Sequence, residues 1–152
     1  MKVYTDFRAM LEGEPELDAV DVCTDHRSHH TVVVPCLEAG KDVLVEKPLG
    51  ITMRACRAMV EAARRSGRVL AVAENYRRSL VNRVIRWVID RGMIGDPRFV
   101  FWLEVGYRLG VVVGTPWRHD RLRSGGGWVL DGGVHTADLL MYWLGRVEEV
   151  YA

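Results

Sequence analysis

Two stretches of this chain carry side chains suited to moving a proton. Lys47 directly follows Glu46 and the apolar run Val43-Leu44-Val45, and Pro48 comes next. Far downstream stand Ser124-Gly125-Gly126-Gly127, then Asp131, His135 and Asp138. A lysine at the end of a buried strand can donate hydrogen bonds to a substrate hydroxyl, and its charge favours a developing alkoxide. Pro48 fixes the backbone just after it. Histidine is the natural proton acceptor near neutral pH. If a helix starts near Asp131, the spacing to His135 places both side chains on one face. Asp131 then orients the imidazole or binds substrate. The glycines upstream let a backbone approach a ligand closely. Each feature also has a plainer reading. Lys47 pairs with a carboxylate such as Glu46, Asp131 is a helix N-cap, and His135 is a core histidine.

Metal ligation competes for the same residues. Asp131, His135 and Asp138 recur at helical spacing, and carboxylate plus imidazole suits a divalent ion. His26, His29 and His30, with Cys23 and Asp25, form a second cluster. Neither has a spacing typical of zinc sites, and Cys23 is expected to point into a buried strand.

These residues must be positioned by an alternation of short β-rich runs and helical stretches, which predicts α/β with a parallel sheet. Ala19 to Cys23, Asp42 to Val45 and Val69 to Ala73 read as buried strands. Thr31 to Ala39 reads as a helix ended by Gly40. Met53 to Ser66 is a helix with Thr52 as N-cap and Gly67 as stop. Its expected apolar face is Met53, Cys56, Val60 and Ala63. Ser79 caps another helix, with Leu80, Val84, Ile85 and Val88 turned inward. After the turn Gly95-Asp96-Pro97 the pattern changes. Phe99, Phe101, Leu103 and Val105 alternate with Arg98, Val100, Trp102 and Glu104, which predicts a half-buried strand of an antiparallel sheet. Thr136 to Leu144 is a nearly all-apolar helix, expected at a buried interface, and Val147 to Tyr151 begins a strand. A boundary near residue 95 divides the chain into residues 1–95 and 96–152.

Composition narrows the function classes. The chain has 152 residues, 49% hydrophobic and 27% charged, with a net charge of +1. That balance gives no electrostatic argument for nucleic acid or an anionic membrane. No apolar run approaches the roughly 20 residues needed to span a bilayer. Three cysteines without a CxxC read as free thiols of a reducing compartment, and a cytoplasmic location is expected.

Set side by side, the motifs resemble the Gfo/Idh/MocA family of NAD(P)-dependent sugar and polyol oxidoreductases. The resemblance runs from about Tyr4 to the end of the chain. Val20-Asp21-Val22-Cys23-Thr24 with His29 is similar to the family's strand and Thr-Pro loop. Ala39 to Pro48 resembles its signature segment, and Asn75-Tyr76-Arg77 the segment after the next strand. Trp117-Arg118, the triple glycine, Asp131-xxx-His135 and Leu139 to Gly145 resemble its second-domain motif. The family implies a Rossmann-like parallel sheet over residues 1–95, followed by the start of an α+β substrate-binding and oligomerisation domain. It implies that Lys47 and His135 bind the reacting hydroxyl, with His135 as general base and Asp131 assisting. Thr24, His29, Glu46, Lys47 and Asn75 would line the nicotinamide side, and Trp117 and Arg118 would close over NAD or NADP. The substrate class implied is a sugar, inositol or other polyol, with no nucleic-acid or membrane partner.

Two departures shape the expectation. Asp25 stands where the family usually has proline. No GxGxxG occurs anywhere in the chain, so the loop that holds the cofactor pyrophosphate is not in the sequence. The expectation is an internal fragment of a longer enzyme, its first strand left with an unpaired edge open to a homo-oligomeric or complementing chain. Three alternatives stay open: a non-catalytic partner-binding fragment of the same lineage, a metal-dependent hydrolase or lyase, and glycosidic cleavage through transient oxidation.

Overall fold

The computed structural model describes residues 2–106 and 114–151. Strands β1 (Ala19–Val22), β2 (Asp42–Val45) and β3 (Leu70–Val72) form a parallel sheet in that order. The register sets Val22 opposite Val45, and Val45 opposite Val72. Parallel neighbours need long crossovers, supplied by helices α2 (His29–Glu38) and α3 (Met53–Ser66). Helix α1 (Phe7–Gly13) precedes β1, capped by the Asp6 carboxylate, which accepts the Arg8 N–H. Gly40, with φ +77°, turns the chain from α2 toward β2, a left-handed conformation that costs glycine little.

One face of the sheet is covered. Val22, Val43 and Val45 pack with Val33, Cys36 and Leu37 of α2 and with Met59 and Ala62 of α3. On these strands Ala19, Asp21, Leu44 and Ala71 are exposed. Helix α3 has the predicted ends. Thr52 Oγ1 accepts the Ala55 N–H, and Gly67 is left-handed at φ 65°. Its buried stripe differs from expectation. Ala55, Met59 and Ala62 face inward, whereas Met53 is 67% and Val60 36% exposed. The stripe sits one residue from the expected one because the small Ala55 and Ala62 allow close approach to α2.

Helix α4 (Leu80–Asp90) is capped by Ser79 Oγ, which accepts the Asn82 N–H at 3.3 Å. Leu80 and Val84, expected inside, are exposed. Polar bonds hold α4 instead. Arg86 donates to the Tyr142 carbonyl at 2.6 Å, and Trp143 Nε1 donates to the Asn82 carbonyl at 3.1 Å. The Tyr142 carbonyl lies in the last turn of a helix, where main-chain acceptors lack intrahelical partners.

The second half holds α5 (Arg121–Ser124), α6 (Gly127–Asp131) and α7 (Gly133–Leu144). Helix α7 buries His135, Leu139 and Trp143. The strand expected over Arg98 to Val105 is not formed, nor is the one begun at Val147. The alternation persists in exposure: Phe99, Phe101, Leu103 and Val105 are 74–85% exposed, Val100 and Trp102 42% and 39%. A strand needs a hydrogen-bonded neighbour, and among the described residues only β1, β2 and β3 pair. No helix among those residues is long and apolar enough to cross a membrane.

Candidate active site

Beyond the C-terminal ends of β1 and β2 lies a cleft of about 330 Å³. Open parallel sheets place ligands at this end of their strands. Thr24, Asp25 and His26 from the loop after β1 line it, with Glu46 and Lys47 after β2. Trp117, Arg118 and Arg123 complete the wall. Cys23, expected inside a strand, is exposed at this cleft because β1 ends at Val22.

Lys47 does not spend its ammonium on Glu46, which instead accepts the Lys47 backbone N–H at 3.2 Å. Lys47 Nζ donates to Asp131 Oδ1 at 2.5 Å and to the Asp131 carbonyl at 2.7 Å. Asp131 Oδ2 lies 3.2 Å from Arg118 Nη1, and Oδ1 lies 3.5 Å from His26 Nε2. One carboxylate therefore gathers three basic side chains. Burial alone would raise the Asp131 pKa, but the Lys47 hydrogen bond and charge, with Arg118 and His26, hold it below the usual range. His26 moves the opposite way to a paired histidine. Burial lowers its pKa despite the Ser124 carbonyl 3.0 Å from Nδ1 and the Asp131 charge.

The expected Asp131–His135 partnership is not made. Asp131 ends α6, and Gly132 is the N-cap of α7. The residues do not share a helix, and Asp131 does not cap one. His135 takes its carboxylate from elsewhere. Its Nδ1 lies 2.8 Å from both Oε1 and Oε2 of Glu74, which follows β3. Tyr76 stacks on the imidazole, with centroids 3.8 Å apart and planes 6° from parallel. Glu74 and His26 carry geometry the sequence reading did not assign to them. An acidic residue just past the third strand, placed as Lys47 is past the second, was the available signal for Glu74.

The remaining candidates fall in different places. Thr24, Glu46, Lys47, Trp117 and Arg118 share the cleft. The Trp117 ring meets His26 edge-on at 4.7 Å, and the Arg118 guanidinium lies 4.5 Å over the Trp117 ring. His29 does not line the cleft. It is fully buried, with Nδ1 2.9 Å from the Pro48 carbonyl. Asn75 is exposed outside the cleft lining, at the N-cap of the turn Tyr76–Arg78. Asp138 is bound by Arg77 through both carboxylate oxygens. Among the described residues no three His, Cys, Asp or Glu side chains are grouped to hold a metal ion.

Comparison with known proteins agrees with this geometry. Residues 1–74 match the model of the oxidoreductase family with an NAD-binding Rossmann fold. Residues 82–152 match the GFO/IDH/MocA C-terminal domain. The chain is 39% identical over 134 residues to 1,5-anhydro-D-fructose reductase of Ensifer adhaerens, covering 88% of this chain and 40% of the reductase. It is 30% identical over 152 residues to myo-inositol 2-dehydrogenase of Thermotoga maritima, covering 99% of this chain and 43% of that enzyme. The crystal structure of an inositol dehydrogenase homolog complexed with NAD+ from Azotobacter vinelandii superposes with a TM-score of 0.79 at 28% identity. It covers 93% of this chain and 39% of that one. The chain thus spans about two fifths of the length of these relatives. A parallel sheet with the lysine–aspartate and histidine–glutamate pairs at its strand ends, matched by both family models, places this chain in the Gfo/Idh/MocA oxidoreductase family.

Proposed function

We propose that this chain supplies the nicotinamide-side and acid–base residues of an NAD(P)-dependent oxidoreductase acting on a secondary alcohol of a sugar, inositol or other polyol. The observation that carries the reading is the ion pair joining Asp131 to Lys47, 84 residues away, with Lys47 lining the cleft beyond the strand ends. The relatives named above reduce or oxidise sugars and inositols, which supports the substrate class.

The residues present fit the nicotinamide end of such a cofactor. The cleft lies at the carboxyl ends of adjacent parallel strands, and Arg118 Nε is buried there without a hydrogen-bond partner among the described residues. A buried orphan donor is costly unless a ligand satisfies it. Thr24 and Glu46 offer further polar contacts. No GxGxxG is present, so the fit extends to the nicotinamide end alone. When bound, NAD(P) supplies a hydride acceptor or donor at C4 of its ring.

The protein residues handle the proton. Lys47, anchored by Asp131, presents its ammonium to the substrate oxygen and stabilises negative charge as the O–H proton leaves. His135 is the general base. Nδ1 is held by Glu74, so Nε2 is the nitrogen that takes the proton. Asp131 stays ionised and balances the charge of Lys47 and Arg118. The division near residue 95, assembly as a homo-oligomer and a cytoplasmic location belong to the same proposal. Three free cysteines support a reducing compartment.

The test is calorimetric binding of NAD(H) and NADP(H) to the 152-residue chain, followed by polyol-dependent cofactor reduction. Binding, with turnover abolished in Lys47→Ala and His135→Asn, is the expected result. Turnover that survives both substitutions overturns the reading.

A further inference from the structure

The geometry points to Glu74 as the positioning residue that fixes the tautomer and direction of the His135 imidazole, so that Nε2 is the acceptor nitrogen. This rests on the proposed role of His135 as general base. The imidazole is gripped on two sides. Both Glu74 oxygens lie 2.8 Å from Nδ1, and the Tyr76 ring lies parallel at 3.8 Å. Glu74 is itself held. Its Oε1 accepts the Tyr76 N–H at 2.8 Å, and its own N–H donates to the Val72 carbonyl at 2.8 Å. The carboxylate is therefore tied to the end of β3 and cannot follow the imidazole if the ring turns. Side-chain exposure is 10% for Glu74 and 11% for His135, so little water competes for Nδ1.

A carboxylate has only acceptor sites. Facing one, a neutral imidazole carries its proton on Nδ1 and keeps its lone pair on Nε2. Nε2 can then accept a substrate proton. Asp131 cannot orient the ring in this way, because both its oxygens are occupied by Lys47, Arg118 and His26. Orientation of the base thus falls to the third strand, and anchoring of the lysine to Asp131.

The substitution Glu74→Gln keeps the shape and replaces one acceptor oxygen with an amide donor. Tyr76 N–H holds the amide oxygen at the Oε1 position, so the –NH₂ takes the Oε2 position, also 2.8 Å from Nδ1, and sets a donor against that nitrogen. Imidazole ¹⁵N NMR of the chain reads the tautomer directly. The expected result is His135 protonated on Nδ1 in the unsubstituted chain and a shift toward the Nε2–H form in E74Q. In the cofactor-linked polyol assay, kcat should fall by about 10²-fold or more, with KM within roughly threefold because no substrate contact is lost. An Nε2–H tautomer in the unsubstituted chain overturns the inference without any variant having to fold. So does an E74Q chain with unchanged tautomer and kcat. If E74Q moves the tautomer but His135→Asn leaves turnover intact, the inference falls together with the proposed role of His135. Where the chain turns over no polyol, the tautomer alone decides what Glu74 does.

Discussion

Removing Asp131 should cost more stability than removing Lys47, although each is the other's nearest partner. Lys47 Nζ and Asp131 Oδ1 are 2.5 Å apart, with side chains 15% and 11% exposed. At an effective dielectric near 20, opposite charges this close attract by on the order of 6–7 kcal/mol. Desolvation of both groups cancels most of that, leaving a net coupling of about 2 kcal/mol. The pair is asymmetric. Lys47→Met leaves Asp131 with Arg118, so the carboxylate keeps a counter-charge, and with the neutral His26 beside it. That variant should lose about 1–2 kcal/mol. Asp131→Asn leaves the half-buried Lys47 and Arg118 around a neutral amide, and should lose about 3–4 kcal/mol. Urea denaturation of both single variants and the double variant, at unchanged m-value, measures the losses and the coupling. Equal losses, the reverse order, or a coupling below about 0.5 kcal/mol would show that Asp131 is not the hub of this cluster.

Acid should weaken the fold in two stages. His26 is held below its usual pKa by burial, so an unfolded chain takes up that proton first, and stability starts to fall as pH drops through about 6.5. Asp131 is depressed by its basic partners, so its contribution is full above about pH 3.9 and is lost as pH falls through the folded value. His26→Asn should remove the first stage and Asp131→Asn the second, read from thermal melts across pH. The three consecutive glycines should not be equivalent. Gly125 has φ +84°, and an added Cβ would lie 2.5 Å from Ile51, whereas Gly127 has open space. Gly125→Ala should cost about 2–4 kcal/mol and Gly127→Ala under about 1, again by urea titration. Trp143→Phe removes the hydrogen bond to the Asn82 carbonyl and should cost about 1–2 kcal/mol, leaving that acceptor to water.

What the sequence determined is local and periodic. The apolar run ending at Val45 marks a strand, Thr52 and Gly67 mark the ends of α3, and Lys47 stands at a strand terminus because of what precedes it. Those signals sit within a few residues of the feature they predict, so they are legible without the fold. The motifs carrying the family resemblance are legible for the same reason, and the family models cover all of them except Asn75-Tyr76-Arg77. Partners are another matter. Glu74 reaches His135 across 61 residues, and Lys47 reaches Asp131 across 84. No spacing rule connects such positions, and helical spacing favoured the wrong pair. Gly132 interrupts the helix between Asp131 and His135, and that single break sends one side chain to β2 and the other to β3. Likewise, period-two alternation told which of Phe99 to Val105 share a side, but not whether they form a strand. That depends on a hydrogen-bonded neighbour, which only tertiary structure can provide.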